Sequence, residues 1–150
     1  MSAKTVLFGT DHSGFELRGF VLDHLEKLGY TVEDMGPKKM KDGDDYPEII
    51  APIAEKVSSA PSKYVRIIMG GSGQGEAMVA NRYKKVRATV FYGGDEEIIR
   101  LSREHNDANV LSLGARFLSA DQAKKACEMW LKTKFPGEDR HIRRIKNIDS

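Results

Sequence analysis

Five short apolar runs, rich in β-branched residues, recur at fairly regular intervals along the chain. Several of them are continuous rather than alternating, which is typical of strands that helices cover on both faces. The runs that predict strands are Thr5–Gly9, Tyr30–Glu33, Tyr64–Met69, Ala88–Tyr92 and Asn109–Leu113.

Segments with helical periodicity separate these runs. Two helix starts have the spacing of a capping box, Ser13 with Glu16 and Ser119 with Gln122. Gly29 fits the position that follows the first helix. The remaining helices are predicted to begin at Asp45–Pro47, near Gly75, near Asp95 and, for a short basic tail, near Arg140.

Strands and helices therefore alternate five times before the tail. This alternation predicts a parallel sheet with helices on both faces, and five strands are too few for an eight-stranded barrel. The predicted fold class is α/β, a Rossmann-like three-layer α/β/α domain with a five-stranded parallel sheet. Ligands of such folds bind at the carboxyl ends of the strands. We expect the segments of Asp11, Gly71 and His105 to converge at that edge.

Composition limits the classes of function. The chain has 150 residues, enough for one domain, and 40% of them are hydrophobic and 31% charged. Lys and Arg number 24 against 22 Asp and Glu, and this net charge of +2 disfavours nucleic acid or an anionic membrane as a partner. The one cysteine, Cys127, lies in an apolar helical stripe and is predicted to be a core residue. We expect a cytoplasmic protein, since no stretch has the pattern of a membrane span or signal peptide.

A glycine-rich segment, Gly70–Glu76, follows the third predicted strand and reads GGSGQGE. Its four glycines allow a tight loop with inward-pointing N–H groups, and a helix follows directly, which predicts an anion cradle. No Gly-Lys-Ser/Thr follows, and Glu76 stands where a dinucleotide fingerprint needs its third glycine. ATP and NAD are therefore disfavoured as ligands.

Glu76 itself has two interpretations. A glutamate in the first turn of a helix commonly interacts with the helix dipole, which contributes about 0.3–1 kcal/mol. A carboxylate above an anion cradle can also abstract a proton from a carbon next to a carbonyl, while the loop N–H groups stabilise the enediolate.

Other polar groups stand near the predicted ligand edge. Asp11 and His12 follow the first strand, either as turn and surface residues or as an acid and an imidazole that meet a ligand. His105 lies on the inward face of the fourth helix, either as a half-buried residue or as a proton donor to a ring oxygen. The polar segment Lys38–Asp45 predicts a surface loop, with a weaker case for lining a site.

Arginines near the carboxyl end of the chain match the geometry of a phosphate. Arg140 and Arg144 are one helical turn apart, and Arg116 follows the fifth strand. The alternatives are a solvated basic tail and an RNA-binding arm. Glu138 and Asp139, immediately upstream, lower the positive charge that such an arm would need. None of the four histidines has a partner at metal-ligand spacing, so no metal is predicted.

Four segments in order, Gly9–Gly14, Gly70–Glu76, Arg103–Asp107 and Arg140–His141, resemble the type B ribose-5-phosphate isomerases. The wider group includes allose- and galactose-6-phosphate isomerases. The resemblance covers nearly the whole chain and implies a homodimer, or a dimer of dimers, whose active sites draw on both subunits. It implies no cofactor and no metal. A single domain, residues 1–150, would then carry a basic tail from about residue 134 that contributes to a neighbouring subunit.

The resemblance also implies residue roles. Glu76 would be the base, His105 the ring-opening residue, and Asp11 a contact of the sugar ring, while Ser72 would help the anion hole through its hydroxyl. Some family members carry a cysteine base where this chain has Gly70, and this sequence resembles the glutamate branch instead. The residues expected to bind substrate are Asp11, His12, Gly71, Ser72, Gly73, Gln74, Gly75, Asn106, Arg116, Arg140, His141 and Arg144.

The leading hypothesis is an aldose–ketose isomerase that interconverts ribose 5-phosphate and ribulose 5-phosphate. A six-carbon phosphosugar isomerase stays open, because the choice of chain length depends on pocket depth. A non-catalytic nucleotide-binding module on the same fold is disfavoured by the missing fingerprints, and RNA binding by the near-neutral charge.

Overall fold

The computed structural model describes residues 5–37, 39 and 43–150. Five strands form one sheet in the order β2-β1-β3-β5-β4, and all neighbouring strands are parallel. The predicted fold class is confirmed, and each strand lies within a residue or so of its predicted position. The strands are β1 Thr5–Thr10, β2 Thr31–Asp34, β3 Tyr64–Gly70, β4 Ala88–Phe91 and β5 Val110–Gly114.

Helices occupy the predicted intervals. They are α1 Phe15–Lys27, α2 Tyr46–Ser59, α3 Gln74–Ala80, α4 Glu97–Asn106, α5 Ala120–Lys132 and α6 Asp139–Ile148. None of the helices in the described part of the chain is both long and apolar enough to cross a membrane.

The two predicted capping boxes had different outcomes. At the start of α5, the Ser119 side chain accepts from the Gln122 backbone N–H and the Gln122 side chain accepts from that of Ser119, so this box is confirmed. The box predicted at Ser13 is wrong. Asp11 instead accepts from the Ser13 backbone N–H at 2.8 Å, because a short 3-10 turn precedes α1.

Each face of the sheet covers its own apolar core. On one face, the side chains of β1, β3 and β5 pack against α1, α4 and α5, and Trp130 is fully buried there. Cys127 belongs to this core as predicted, and burial raises the pKa of its thiol to about 12. On the other face, α2 and α3 pack on β3 and β5. The helices therefore form the two outer layers of the predicted three-layer arrangement.

The two edges of the sheet carry different groups. The carboxyl ends of β1, β3 and β5 are adjacent, with Thr10 paired to Met69 and Gly70 to Gly114. Helix α4 ends at the opposite, amino edge, where Arg87, one residue before β4, donates from Nε to the Asn106 carbonyl at 2.9 Å.

The predicted convergence of His105 with Asp11 and Gly71 within one chain is therefore wrong. A helix that connects parallel strands runs antiparallel to them, so its last turn returns the chain to the amino edge. For a seven-residue strand such as β3, the two edges are roughly 20 Å apart.

Candidate active site

The glycine loop, residues 70–75, packs against the end of β5. Gly73 has a φ of +77°, and the hydroxyl of Ser112 donates to its carbonyl at 2.7 Å. A Cβ on Gly73 would lie 3.0 Å from the carbonyl carbon of Leu113, so residue 73 has neither the backbone conformation nor the space for a side chain. Ser72 accepts through Oγ from the Gln74 backbone N–H at 3.3 Å. These contacts fix the loop just before α3.

Glu76 reaches back from the first turn of α3 to the end of β3. Its carboxylate fills the space in which a side chain on Gly70 would begin, so a Cβ there would overlap the carboxylate oxygens. The residue is 4% exposed. The missing side chain at Gly70 is therefore what allows Glu76 to lie against the strand end.

The environment of Glu76 raises its pKa into the neutral range. Burial, followed by a hydrogen bond with Asp11 and the negative charges of Asp11 and Asp44, raises the pKa of Glu76 to about 7. Asp11 is itself 3% exposed. A carboxyl group that titrates near neutral pH can both take and return a proton.

Asp44 is a member of the site that the sequence did not single out. Its Oδ1 lies 2.6 Å from Nδ1 of His12 and 3.4 Å from the His12 backbone N–H. Asp44 belongs to the predicted loop Lys38–Asp45, of which Lys38 and 40–42 lie outside the described residues. The segment therefore does reach the site, in its last residues.

Asp11, His12 and Asp44 each bring one possible ligand atom to within 4.8 Å of the others. Sequence spacing could not reveal this group, because Asp44 is more than thirty residues away from the other two. The contact between His12 and Asp44 has the length of a hydrogen bond. That no metal takes part stays a prediction, and we expect activity to survive exhaustive chelation.

Two further side chains lie beside the glycine loop. The backbone N–H of Arg116 donates to the Gly71 carbonyl at 3.1 Å, and its guanidinium lies 3.3 Å from the Ser13 hydroxyl. The Tyr46 ring covers Gly75 so closely that a Cβ there would clash with it. Arg116 was expected at this edge, whereas Tyr46 was not.

The remaining predicted residues form a second group at the amino edge. His105 and Asn106 end α4, and the ring of His141 stacks on that of His105. Arg140 and Arg144 are exposed on α6, which packs against α4. One chain thus carries Glu76 with the glycine loop at one edge, and histidines with arginines at the other.

Comparison with known proteins identifies relatives over nearly the whole chain. The sequence model of the ribose/galactose isomerase family matches residues 6–148. Ribose-5-phosphate isomerase B of Mycobacterium tuberculosis is 31% identical over 145 residues, which are 97% of this chain and 88% of that protein.

Solved structures are similar over the same extent. Ribose-5-phosphate isomerase B of Mycoplasma genitalium with bound ribulose-5-phosphate has a TM-score of 0.90 at 35% identity, covering 96% of this chain and 93% of that one. A ribose 5-phosphate isomerase from Thermotoga maritima has a TM-score of 0.88 at 33% identity, covering 99% of both chains. The chain belongs to the ribose/galactose isomerase family, and within it to the type B ribose-5-phosphate isomerases.

Proposed function

We propose that this protein interconverts ribose 5-phosphate and ribulose 5-phosphate as an aldose–ketose isomerase. The observation that carries the proposal is the buried carboxyl of Glu76, whose pKa is about 7, next to the glycine loop that precedes α3. The names of its relatives and the bound ribulose-5-phosphate in one of them support the same reaction.

In this reaction His105 donates a proton to the ring oxygen, the bond between C1 and that oxygen breaks, and the hydroxyl at C1 loses its proton to solvent, which opens the furanose to the aldehyde. The Glu76 carboxylate then takes the proton from C2, while the oxygen at C1 gains a proton, which gives the enediol. Return of a proton to C1 and loss of one from the hydroxyl at C2 complete the ketose. Backbone N–H groups of residues 71–75 hold the negative charge that develops on the oxygens, with the Ser72 hydroxyl beside them.

The other residues bind and orient the substrate. Asp11 contacts the sugar ring as it opens, and Asn106 holds the open chain. Arg116, Arg140 and Arg144 hold the phosphate together with His12, which fixes the register of the sugar against the base. The isomerisation has no net redox change, so the proposal includes no redox cofactor.

A complete site requires a second copy of the chain. Glu76 and His105 lie at opposite edges of the sheet, and a sugar phosphate is much shorter than the roughly 20 Å between the edges. We propose a homodimer or tetramer in which the tail from about residue 134, with α6, completes the neighbour's site. We also propose a cytoplasmic location, which agrees with a single, buried thiol.

A turnover panel tests the function. Purified protein is given ribose 5-phosphate, allose 6-phosphate and galactose 6-phosphate, with Glu76→Gln as the size-matched control. We expect ribose 5-phosphate to have the highest kcat/KM, and Glu76→Gln to lower kcat by at least about 10²–10⁴-fold with little change in KM.

Other results of the panel point elsewhere. Preference for a six-carbon substrate would favour the alternative isomerase. If no aldose phosphate turned over, and ATP or NAD but no phosphosugar raised the melting temperature, a nucleotide-binding module would replace the proposal.

A further inference from the structure

We propose that His141 is a positioning residue that holds the ring of His105 in place, rather than a ligand of the substrate. The inference rests on the proposed function, because it concerns how the ring-opening residue is oriented. It also revises the role that the family resemblance implies for His141.

The stacking geometry carries the inference. The centroids of the two imidazole rings are 4.5 Å apart, and the ring planes differ by 12°. His105 lies in the last turn of α4, where a side chain has few neighbours along its own helix, and His141 lies in the first turn of α6. The flat face of His141 therefore limits the rotation of the His105 ring.

His141 is buried, unlike the arginines beside it on α6. His141 is 4% exposed, whereas Arg140 and Arg144 on the same helix are exposed. Its Nε2 is buried and has no hydrogen-bond partner within residues 5–37, 39 and 43–150. The nearest carboxylate oxygen, on Glu138, is 3.8 Å away, which is beyond hydrogen-bond length. The ring of His141 is therefore mostly covered, in part by His105, whereas the arginines beside it are open to a phosphate.

The charges around His141 favour its neutral form. Burial first, and then the positive charges of Arg140, His105 and Arg144, lower the pKa of His141, and Glu138 offsets part of this. Two stacked imidazolium rings would repel each other. A neutral His141 does not repel a proton on the stacked ring of His105, whose proposed role is to donate one.

The carboxyl end of α6 is also attached to the end of α4, through Arg87. Arg87 binds Asp149 through Nη1 at 2.7 Å and the Asn106 carbonyl through Nε at 2.9 Å. The histidine stack and this arginine therefore attach both ends of α6 to the end of α4. Through these contacts α6 supports the orientation of His105 and Asn106.

The test compares His141→Ala and His141→Phe, each in the wild-type and His105→Asn backgrounds. Two rates are measured: turnover of ribose 5-phosphate, which needs ring opening, and solvent exchange of the C1 proton of ribulose 5-phosphate, which cannot close to a furanose. We expect His141→Ala to lower kcat for ribose 5-phosphate by about 10- to 100-fold, with KM changed little and the exchange rate spared. His141→Phe keeps a flat ring and recovers most of that loss.

The His105→Asn background gives the sharpest comparison. If His141 acts through His105, then His141→Ala causes no further loss there. A further loss, or a rise in KM of either variant with kcat unchanged, would show direct contact with the substrate and overturn the proposal. If His141→Ala does not fold, His141→Phe still decides, because a substrate ligand cannot be replaced by a phenyl ring.

One measurement is independent of activity. In wild type, the carbon-bound ring protons of His105 have NMR shifts displaced by the stacked ring, and we expect His141→Phe to preserve this displacement and His141→Ala to abolish it. Equal His105 shifts in wild type and His141→Ala would contradict the stack. Absence of isomerase turnover in the wild type would instead contradict the proposed function and leave this readout intact.

Discussion

The position of the Glu76 carboxylate depends on the absence of a side chain at Gly70, the last residue of β3. Gly70→Ala places a methyl group where the Glu76 carboxylate lies, and the carboxylate has to move away from the strand end. We expect kcat to fall by about 10²-fold or more with a smaller change in KM, because the base is displaced while the phosphate ligands stay.

Gly19→Ala is the matched control for this change. Gly19 lies on α1, and a Cβ there meets nothing within 4 Å. The control is expected to keep wild-type kcat and to be more stable by about 0.5–1 kcal/mol, since alanine favours a helix interior. Equal kcat values for Gly70→Ala and wild type would show that Glu76 does not need its position against β3.

The titration of Glu76 also predicts how stability changes with pH. Its pKa rises from 4.5 to about 7 on folding, so between these values the folded protein binds more protons than the unfolded chain. The free energy of unfolding therefore falls as pH rises through this range. Glu76→Gln removes the effect, and we expect the variant to exceed wild type in stability at pH 8 by on the order of 2 kcal/mol.

Urea unfolding at pH 8 and at pH 4 measures the difference. Below pH 4.5 the carboxyl is protonated in both states, so the advantage of Glu76→Gln should disappear. An advantage of equal size at both pH values would mean that packing, rather than buried charge, distinguishes the two side chains.

For single residues, the sequence could predict which side chains belong to the candidate site better than it could predict what surrounds them. The glycine loop and the position after it were enough to select Glu76 as a candidate base, a role that stays a prediction. Burial and a hydrogen bond with Asp11 raise its pKa, and no spacing in the sequence reveals either of them. Asp44 was missed for the same reason, because a polar loop has no periodicity that would indicate which of its residues turns inward.

Among the elements, the strands were predictable because helices cover both faces of a parallel sheet, which leaves continuous apolar runs. The start of α1 was not. Ser13 and Glu16 have the spacing of a capping box, but Asp11 accepts from the Ser13 N–H and a 3-10 turn forms first. Asp11 is itself the N-cap of this turn, so two local capping signals compete here and the one nearer the end of β1 prevails.

Helix α6 carries two exposed arginines that we expect to bind the phosphate of the substrate. Arg140→Ala and Arg144→Ala are each expected to raise KM for ribose 5-phosphate with less effect on kcat, because a phosphate is held equally in the ground and transition states. Lys146→Ala is the control, since residue 146 faces away from both arginines on a helical projection. A fall in kcat alone, with KM unchanged, would remove the arginines from phosphate binding.

For the whole molecule, the separation of Glu76 from His105 predicts complementation between subunits. In the proposed dimer, Glu76→Gln and His105→Asn are each expected to inactivate every site of their own homo-oligomer. In a mixed dimer one site receives both substitutions and the other receives neither. Random exchange of subunits should therefore restore about a quarter of wild-type activity, because half of the dimers are mixed and half of their sites are intact.

Mixing the two variants after mild denaturation and refolding measures this recovery, and mixing Glu76→Gln with Gly70→Ala serves as the control. Both substitutions of the control pair lie in the same half of the site, so each mixed dimer has two damaged sites. Recovery in neither mixture would mean that a single chain builds its own complete site.

The overlap between residue 70 and the Glu76 carboxylate constrains how this family can change its chemistry. A lineage that replaces the glutamate base with a cysteine on β3 has to alter two positions that share one volume. If the side chain at 70 comes first, it displaces the existing base; if Glu76 is lost first, no base remains. If Glu76 is the base, as proposed, either order passes through an impaired enzyme. We therefore expect positions 70 and 76 to differ together among relatives of this chain, with a larger residue at 70 only where 76 is not glutamate.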